Sequence, residues 1–116
     1  LILQWKHSKN GATILKVCHY IQEHCHCDLT LQQMADIAHL NKNYFSEWFK
    51  KETGISFNDY LTRVRIEKAR KLLAEYDISI GELAEKVGYQ NQSYFTKVFK
   101  KITGVSPLEY KKNISK

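Results

Sequence analysis

Apolar residues recur at helical spacing through most of the chain, and no stretch alternates with the period of a strand. Between Ala12 and His24 the apolar positions Ile14, Leu15, Cys18 and Ile21 fall on one stripe. Four helix starts follow. Thr30-Leu-Gln-Gln33 and Ser79-Ile-Gly-Glu82 match the capping box, in which a hydroxyl and a residue three places on satisfy each other's backbone. Ser106-Pro-Leu-Glu109 is a third, with Pro107 at the first helical position, and Ser56-Phe-Asn-Asp59 is its looser partner. Gly54 and Gly104 stand where a helix ends in a left-handed residue. These signals predict seven helices, over 12–25, 30–38, 42–52, 57–76, 79–86, 92–102 and 107–113. The predicted fold is all-α.

The pattern is written twice. Residues 44–60 read YFSEWFKKETGISFNDY and residues 94–110 read YFTKVFKKITGVSPLEY, with nine of seventeen positions identical at an offset of 50. Upstream the likeness continues at an offset of 49, in Asp28/Asp77 and Ala35/Ala84. Each copy is a short capped helix, a tight turn, and a second helix opened by Asn41 or Asn91 as N-cap. That is the spacing of a helix-turn-helix. Ala35 and Ala84 sit where the two helices would cross closely. The expected organisation is a linker remnant over 1–11, a first helix-turn-helix subdomain over 12–55, a long linker helix over 56–76 and a second subdomain over 77–116. A helix of ~20 residues spans ~30 Å, close to one turn of duplex DNA.

The second helix of each copy separates into two faces. Phe45, Trp48 and Phe49, and in the other copy Phe95, Val98, Phe99 and Ile102, are expected in the core. Lys42, Asn43, Ser46, Glu47 and Lys50 share the opposite face, as do Gln92, Ser93, Thr96, Lys97 and Lys100. These side chains are of the kind that read base edges in a major groove. One such face is usually only solvated; two equivalent ones, each followed by Lys-Lys, favour groove reading. Tyr44 and Tyr94 could pack or donate to phosphate, and packing is the expectation. Trp5 and Trp48 read as core or staple residues.

Charge follows the repeat. The formal net charge is +6, and residues 42–71 and 97–116 carry eight and six basic residues against four acids and one. Residues 1–41 balance three against three, and residues 72–96 hold four acids against one lysine. A basic surface repeated with the fold suggests a polyanionic partner. The 43% hydrophobic content suits a globular chain of 116 residues, and no apolar run reaches membrane-span length. The chain starts at Leu1, without a signal-peptide pattern, so an upstream domain is expected.

Cys18, Cys25 and Cys27 are interleaved with His19, His24 and His26. Cys25 and Cys27 are one residue apart, and only the isolated His39 could complete a set, so the cluster reads as adventitious surface His and Cys rather than a metal site. Thiols fit a reducing cytoplasm. No cofactor is expected. There is no Gly-rich phosphate loop, paired-carboxylate site or nucleophile constellation, so an enzyme is not expected either. A basic module binding an acidic protein is the competing reading; it leaves the two polar faces unexplained.

With these residues in hand, the chain resembles the C-terminal DNA-binding domain of the AraC/XylS family of bacterial transcription regulators. The match runs over about 12–113. The stretch ISIGELAEKVGYQNQSYFTKVFKKITGVSPLEY, Ile78 to Tyr110, is similar to the family's signature region, and Arg65 to Leu73 to its linker helix. The resemblance implies two homeodomain-like helix-turn-helix subdomains whose recognition helices enter adjacent major grooves, regulating transcription in the cytoplasm at the nucleoid. It assigns base reading to Asn43, Ser46 and Glu47 with Lys42, and to Gln92, Ser93 and Lys97 with Thr96. Phosphate contacts are expected from Lys50, Lys51, Lys100 and Lys101, and near Thr30 and Ser79 at helix N-termini. Glu47 departs from the family, where Arg is frequent. An acid there either accepts from cytosine N4 or faces a salt partner in a weakly binding unit. Double-stranded DNA and RNA polymerase are the implied partners, with a sensory domain and dimerisation supplied upstream. The linker also resembles versions that end two-component response regulators.

Overall fold

A computed structural model describes residues 11–114, and the expected linker remnant and Trp5 lie outside them except for Gly11. Seven α-helices follow in order: α1 Gly11–His24, α2 Leu31–Ala38, α3 Lys42–Thr53, α4 Phe57–Glu75, α5 Ile80–Lys86, α6 Gln92–Thr103 and α7 Pro107–Ile114. No strand occurs among the described residues. Local signals set nearly every boundary. Thr30 and Gln33 form the full reciprocal capping box, with bonds of 3.2 and 3.0 Å. At Ser79 and Ser106 the hydroxyl accepts from the N–H three residues on, and donates to the carboxylate of Glu82 or Glu109. Gly54 and Gly104 close α3 and α6 at φ 88° and 91°, each donating its N–H to a lysine carbonyl at 2.8 Å.

The chain forms two compact units that meet within α4, between Leu61 and Thr62. In the first, Ile14, Val17, Ile21, Met34, Phe45 and Phe49 are fully buried. In the second, Ile66, Ala69, Leu83, Ala84, Val87, Phe95 and Phe99 form the core. The first half of α4 therefore belongs to one core and the second half to the other. Burial of the two phenylalanines in each unit supplies much of the apolar area; a fully buried side chain of this size contributes about 1.5–3 kcal/mol relative to exposure.

The closing corner of each unit is built alike. Thr53 shares its hydroxyl between the carbonyls of Phe49 and Ile55, both at 2.8 Å. Thr103 does the same with Phe99 and Val105, at 2.8 and 2.9 Å. Beyond that corner comes an edge-on pair, Phe49 with Tyr60 and Phe99 with Tyr110. Helix α7 is thus the second unit's counterpart of the first half of α4.

Three expectations are corrected. Ile102 is 44% exposed rather than core, because α6 ends one residue later and no described element covers that turn. Tyr44 and Tyr94 are 55% and 60% exposed, not packed away, although Tyr94 keeps one ring contact with Tyr89. Cys18 and Cys25 are buried, so only Cys27 belongs to the surface. Cys18 lies on the α1 stripe with Val17 and Ile21, and burial pushes its thiol pKa up, with a hydrogen bond to Tyr60 acting the other way.

Candidate nucleic-acid interface

Each unit presents a helix-turn-helix. In the first, α2 ends at His39, whose backbone is left-handed at φ 58°, and the N–H of Leu40 returns to the carbonyl of Ala35 at 3.0 Å. In the second, Gly88 takes φ 103° and the N–H of Tyr89 returns to Ala84 at 2.8 Å. The small, buried alanines let the turn close against the preceding helix. Asn41 then caps α3 by accepting from the N–H of Tyr44 at 2.8 Å, and Asn91 caps α6 from Tyr94 at 2.9 Å.

That geometry fixes which side chains emerge. On α3, Phe45, Trp48 and Phe49 turn inward, while Lys42, Asn43, Ser46, Glu47, Lys50 and Lys51 are exposed. On α6, Phe95 and Phe99 turn inward and Val98 is half-buried. Gln92, Ser93, Lys97, Lys100 and Lys101 are exposed, and Thr96 is half-buried. The first turn of α3 borders an open depression of about 580 Å³ lined by Asn41, Lys42, Asn43, Tyr44 and Glu47. Thr30 and Ser79 are exposed, with their oxygens engaged as caps.

The two faces differ in detail. Helix α3 carries three lysines against two glutamates, while α6 carries three lysines and no acid. Glu47 stands where α6 has Lys97. Among the described residues the Glu47 carboxylate has neither an ion pair nor a hydrogen bond. In the second unit, Gln92 leans back onto α5: its Oε1 lies 3.1 Å from where a Cβ on Gly81 would stand.

Tyr89 falls in the turn between the helices expected over 79–86 and 92–102, yet it belongs to the core. It is 8% exposed and packs against Phe95 at 5.4 Å between centroids and Tyr94 at 5.9 Å. The Arg65 guanidinium lies over its ring at 5.2 Å. Burial raises the Tyr89 pKa, and the Arg65 charge partly offsets that. The available signal was its register: Tyr89 falls opposite apolar Leu40 at the offset of 49. No group of three or more His, Cys, Asp or Glu side chains that could hold a metal ion occurs among the described residues, and none of their helices is long and apolar enough to cross a membrane.

Two capped helix-turn-helix units with polar, lysine-flanked second helices define a helix-turn-helix protein. A family of helix-turn-helix domains matches residues 34–113. The chain belongs to this family, of the AraC type, whose members are DNA-binding transcriptional regulators and not enzymes. It is 40% identical over 79 residues to the HTH-type transcriptional activator Btr of Bacillus subtilis (strain 168), covering 68% of this chain and 15% of Btr. Among solved structures, the C-terminal domain of AraT, a response regulator from Geobacillus stearothermophilus, is 41% identical with a TM-score of 0.84, covering 91% of this chain and 88% of that one. The DNA-binding domain of AdpA, a global transcriptional factor in complex with a target DNA, is 25% identical with a TM-score of 0.82, covering 86% and 90%. The chain spans 10–37% of the length of the curated relatives it matches.

Proposed function

We propose that the chain binds duplex DNA sequence-specifically through α3 and α6, each laid in a major groove, and so regulates transcription from bacterial promoters. One observation carries this reading: a polar face at the same distance from the same asparagine cap is exposed in both units, save that Thr96 is half-buried where Ser46 is exposed. In this reading Lys42, Asn43, Ser46 and Glu47 meet base edges from the first unit, and Gln92, Ser93, Thr96 and Lys97 from the second. Lys50, Lys51, Lys100 and Lys101, one turn further along, meet phosphate. The hydroxyls of Thr30 and Ser79 are engaged as caps, so a phosphate contact there rests on backbone N–H groups. Adjacent grooves on one duplex, contact with RNA polymerase, a cytoplasmic location at the nucleoid and dimerisation through an upstream domain complete the proposal; the family resemblance supports them.

The test is selection from a randomised duplex pool followed by sequencing, with affinities measured at two salt concentrations. Two enriched boxes and an affinity falling steeply with salt are expected. Binding without enrichment would leave only phosphate contact. Absence of binding would favour an acidic protein partner.

A further inference from the structure

We infer that the two units read unlike boxes because Glu47 and Lys97 demand opposite base chemistry, with Glu47 selecting a cytosine. The inference rests on the DNA-reading function proposed above. Three observations bring it out. Glu47 is exposed on the same face as Lys42, Asn43 and Ser46. Its counterpart one repeat later, at the offset of 50, is Lys97. Its carboxylate is not neutralised within the described residues, although Lys50 and Lys51 follow at helical spacing on the same helix. Among the described residues, therefore, the salt-partner alternative for this acid has no counterpart.

An uncompensated carboxylate on a surface that meets polyanion weakens binding to every sequence alike. Its effect becomes favourable only opposite a hydrogen-bond donor. In the major groove cytosine presents its N4 amino group, whereas guanine offers N7 and O6 and thymine offers O4, all acceptors. Adenine has an amino group, but its N7 acceptor stands beside it. A carboxylate therefore accepts from cytosine and is repelled elsewhere. Lysine at the equivalent place reverses this, donating to guanine N7 and O6. Glu47 gives up general affinity and gains discrimination, by penalising wrong sequences more than by strengthening the right one. The two boxes of the target are then not copies of each other, although the two units are copies in fold.

The experiment repeats the selection with Glu47→Gln and Glu47→Lys in the full 116-residue chain, and measures binding to an unselected duplex in parallel. The wild-type chain is expected to enrich cytosine at one position of one box, with a discrimination of roughly 5- to 150-fold, the range of a good base-edge contact. Glu47→Gln should lose that cytosine and bind unselected duplex more tightly. Glu47→Lys should replace it with guanine and tighten further. Thermal melting of both variants reports on folding independently of binding, and the exposed position predicts unchanged melting. If both variants enrich the wild-type sequence unchanged, Glu47 touches no base and the inference falls while DNA reading stands. If the wild-type chain enriches no sequence at all, the function proposed above falls and takes this inference with it.

Discussion

Tyr60 meets the ring of Phe49 edge-on, 5.5 Å between centroids at 85°, and one repeat later Tyr110 meets Phe99 at 5.7 Å and 78°. The geometry is kept while the surroundings of the hydroxyls change. Tyr60 accepts from Gln22 at 3.3 Å and bonds the Cys18 thiol. Tyr110 accepts from Arg70 at 3.5 Å, and the guanidinium also lies over its ring at 5.8 Å. The apolar half of the corner is thus common to both units, and the polar half is particular to each.

Phe49→Ala and Phe99→Ala should each cost about 3–5 kcal/mol, the range for emptying a fully buried aromatic site. Both rings are wholly buried; Phe49 contacts the rings of Phe45, Phe57 and Tyr60, and Phe99 those of Phe95 and Tyr110. Urea titration by circular dichroism measures the loss; a cost under 1 kcal/mol would mean the site collapses around the gap.

Tyr60 carries a pH signature. Burial first, and the Cys18 contact second, push its pKa up from 10.0 to about 12. Because the raised value belongs to the folded state, the unfolded chain ionises first. Its contribution to stability is fully present below about pH 10 and is lost as the pH rises from there through about 12. Tyr60→Phe should flatten that fall. Denaturant midpoints at pH 9 and pH 11 make the comparison, and an equal drop in both proteins would place the effect on other groups.

His39 occupies a left-handed backbone at φ 58°, the place Gly88 fills at 103°. A side chain in that region costs about 1–2 kcal/mol, while glycine adds up to ~1 kcal/mol of chain entropy to the unfolded state. His39→Gly should therefore stabilise the first unit by roughly 0.5–1 kcal/mol. A lower melting temperature would show that the imidazole makes a contact worth more than the strain.

Gly81→Ala separates folding from reading. Gly81 lies in the first turn of α5, where alanine is favoured over glycine by up to about 1 kcal/mol, the value for a helix interior. Its Cβ would stand 3.1 Å from Gln92 Oε1, so the amide must shift by a few tenths of an ångström. Melting should rise while base preference at the Gln92 position weakens. In a Gln92→Ala background the second effect should vanish; if it persists, Gly81 acts by another route.

The paired lysines supply the last comparison. Removing Lys100 and Lys101 together should lower the slope of log affinity against log salt by about two, without changing which sequence is enriched. A changed sequence would put one of them on a base.

What could be read from the chain alone tracks the distance over which each signal acts. Caps at Thr30, Asn41, Ser79 and Asn91, and stops at Gly54 and Gly104, work within one helical turn, and all six mark helix ends in the structure. The inward faces of α3 and α6 followed from spacing up to Phe99. The same spacing carried on to Ile102, but whether a residue is covered depends on neighbours that a periodicity does not contain. Glu52 at the matching place in α3 was the hint that this turn lies open. Cys18 and Cys25 were misjudged because histidines beside them suggested a surface cluster, although Cys18 keeps the spacing of Ile14 and Ile21. Tyr89 failed for a related reason: a turn residue becomes core only when another element, here the Arg65 stretch of α4, lies over it.

Helix α4 answers to two masters. Leu61 is judged by one core, Ile66 by the other, and barely more than one turn lies between them. Drift in such a helix is split: a change at its start is accepted or rejected by the first unit, and one near its end by the second. Copies of an ancestral unit that overlap in this way can diverge in sequence on either side of the join, yet neither can discard the shared segment. Duplication followed by divergence would then leave its trace here as a common inheritance that neither descendant can sell separately.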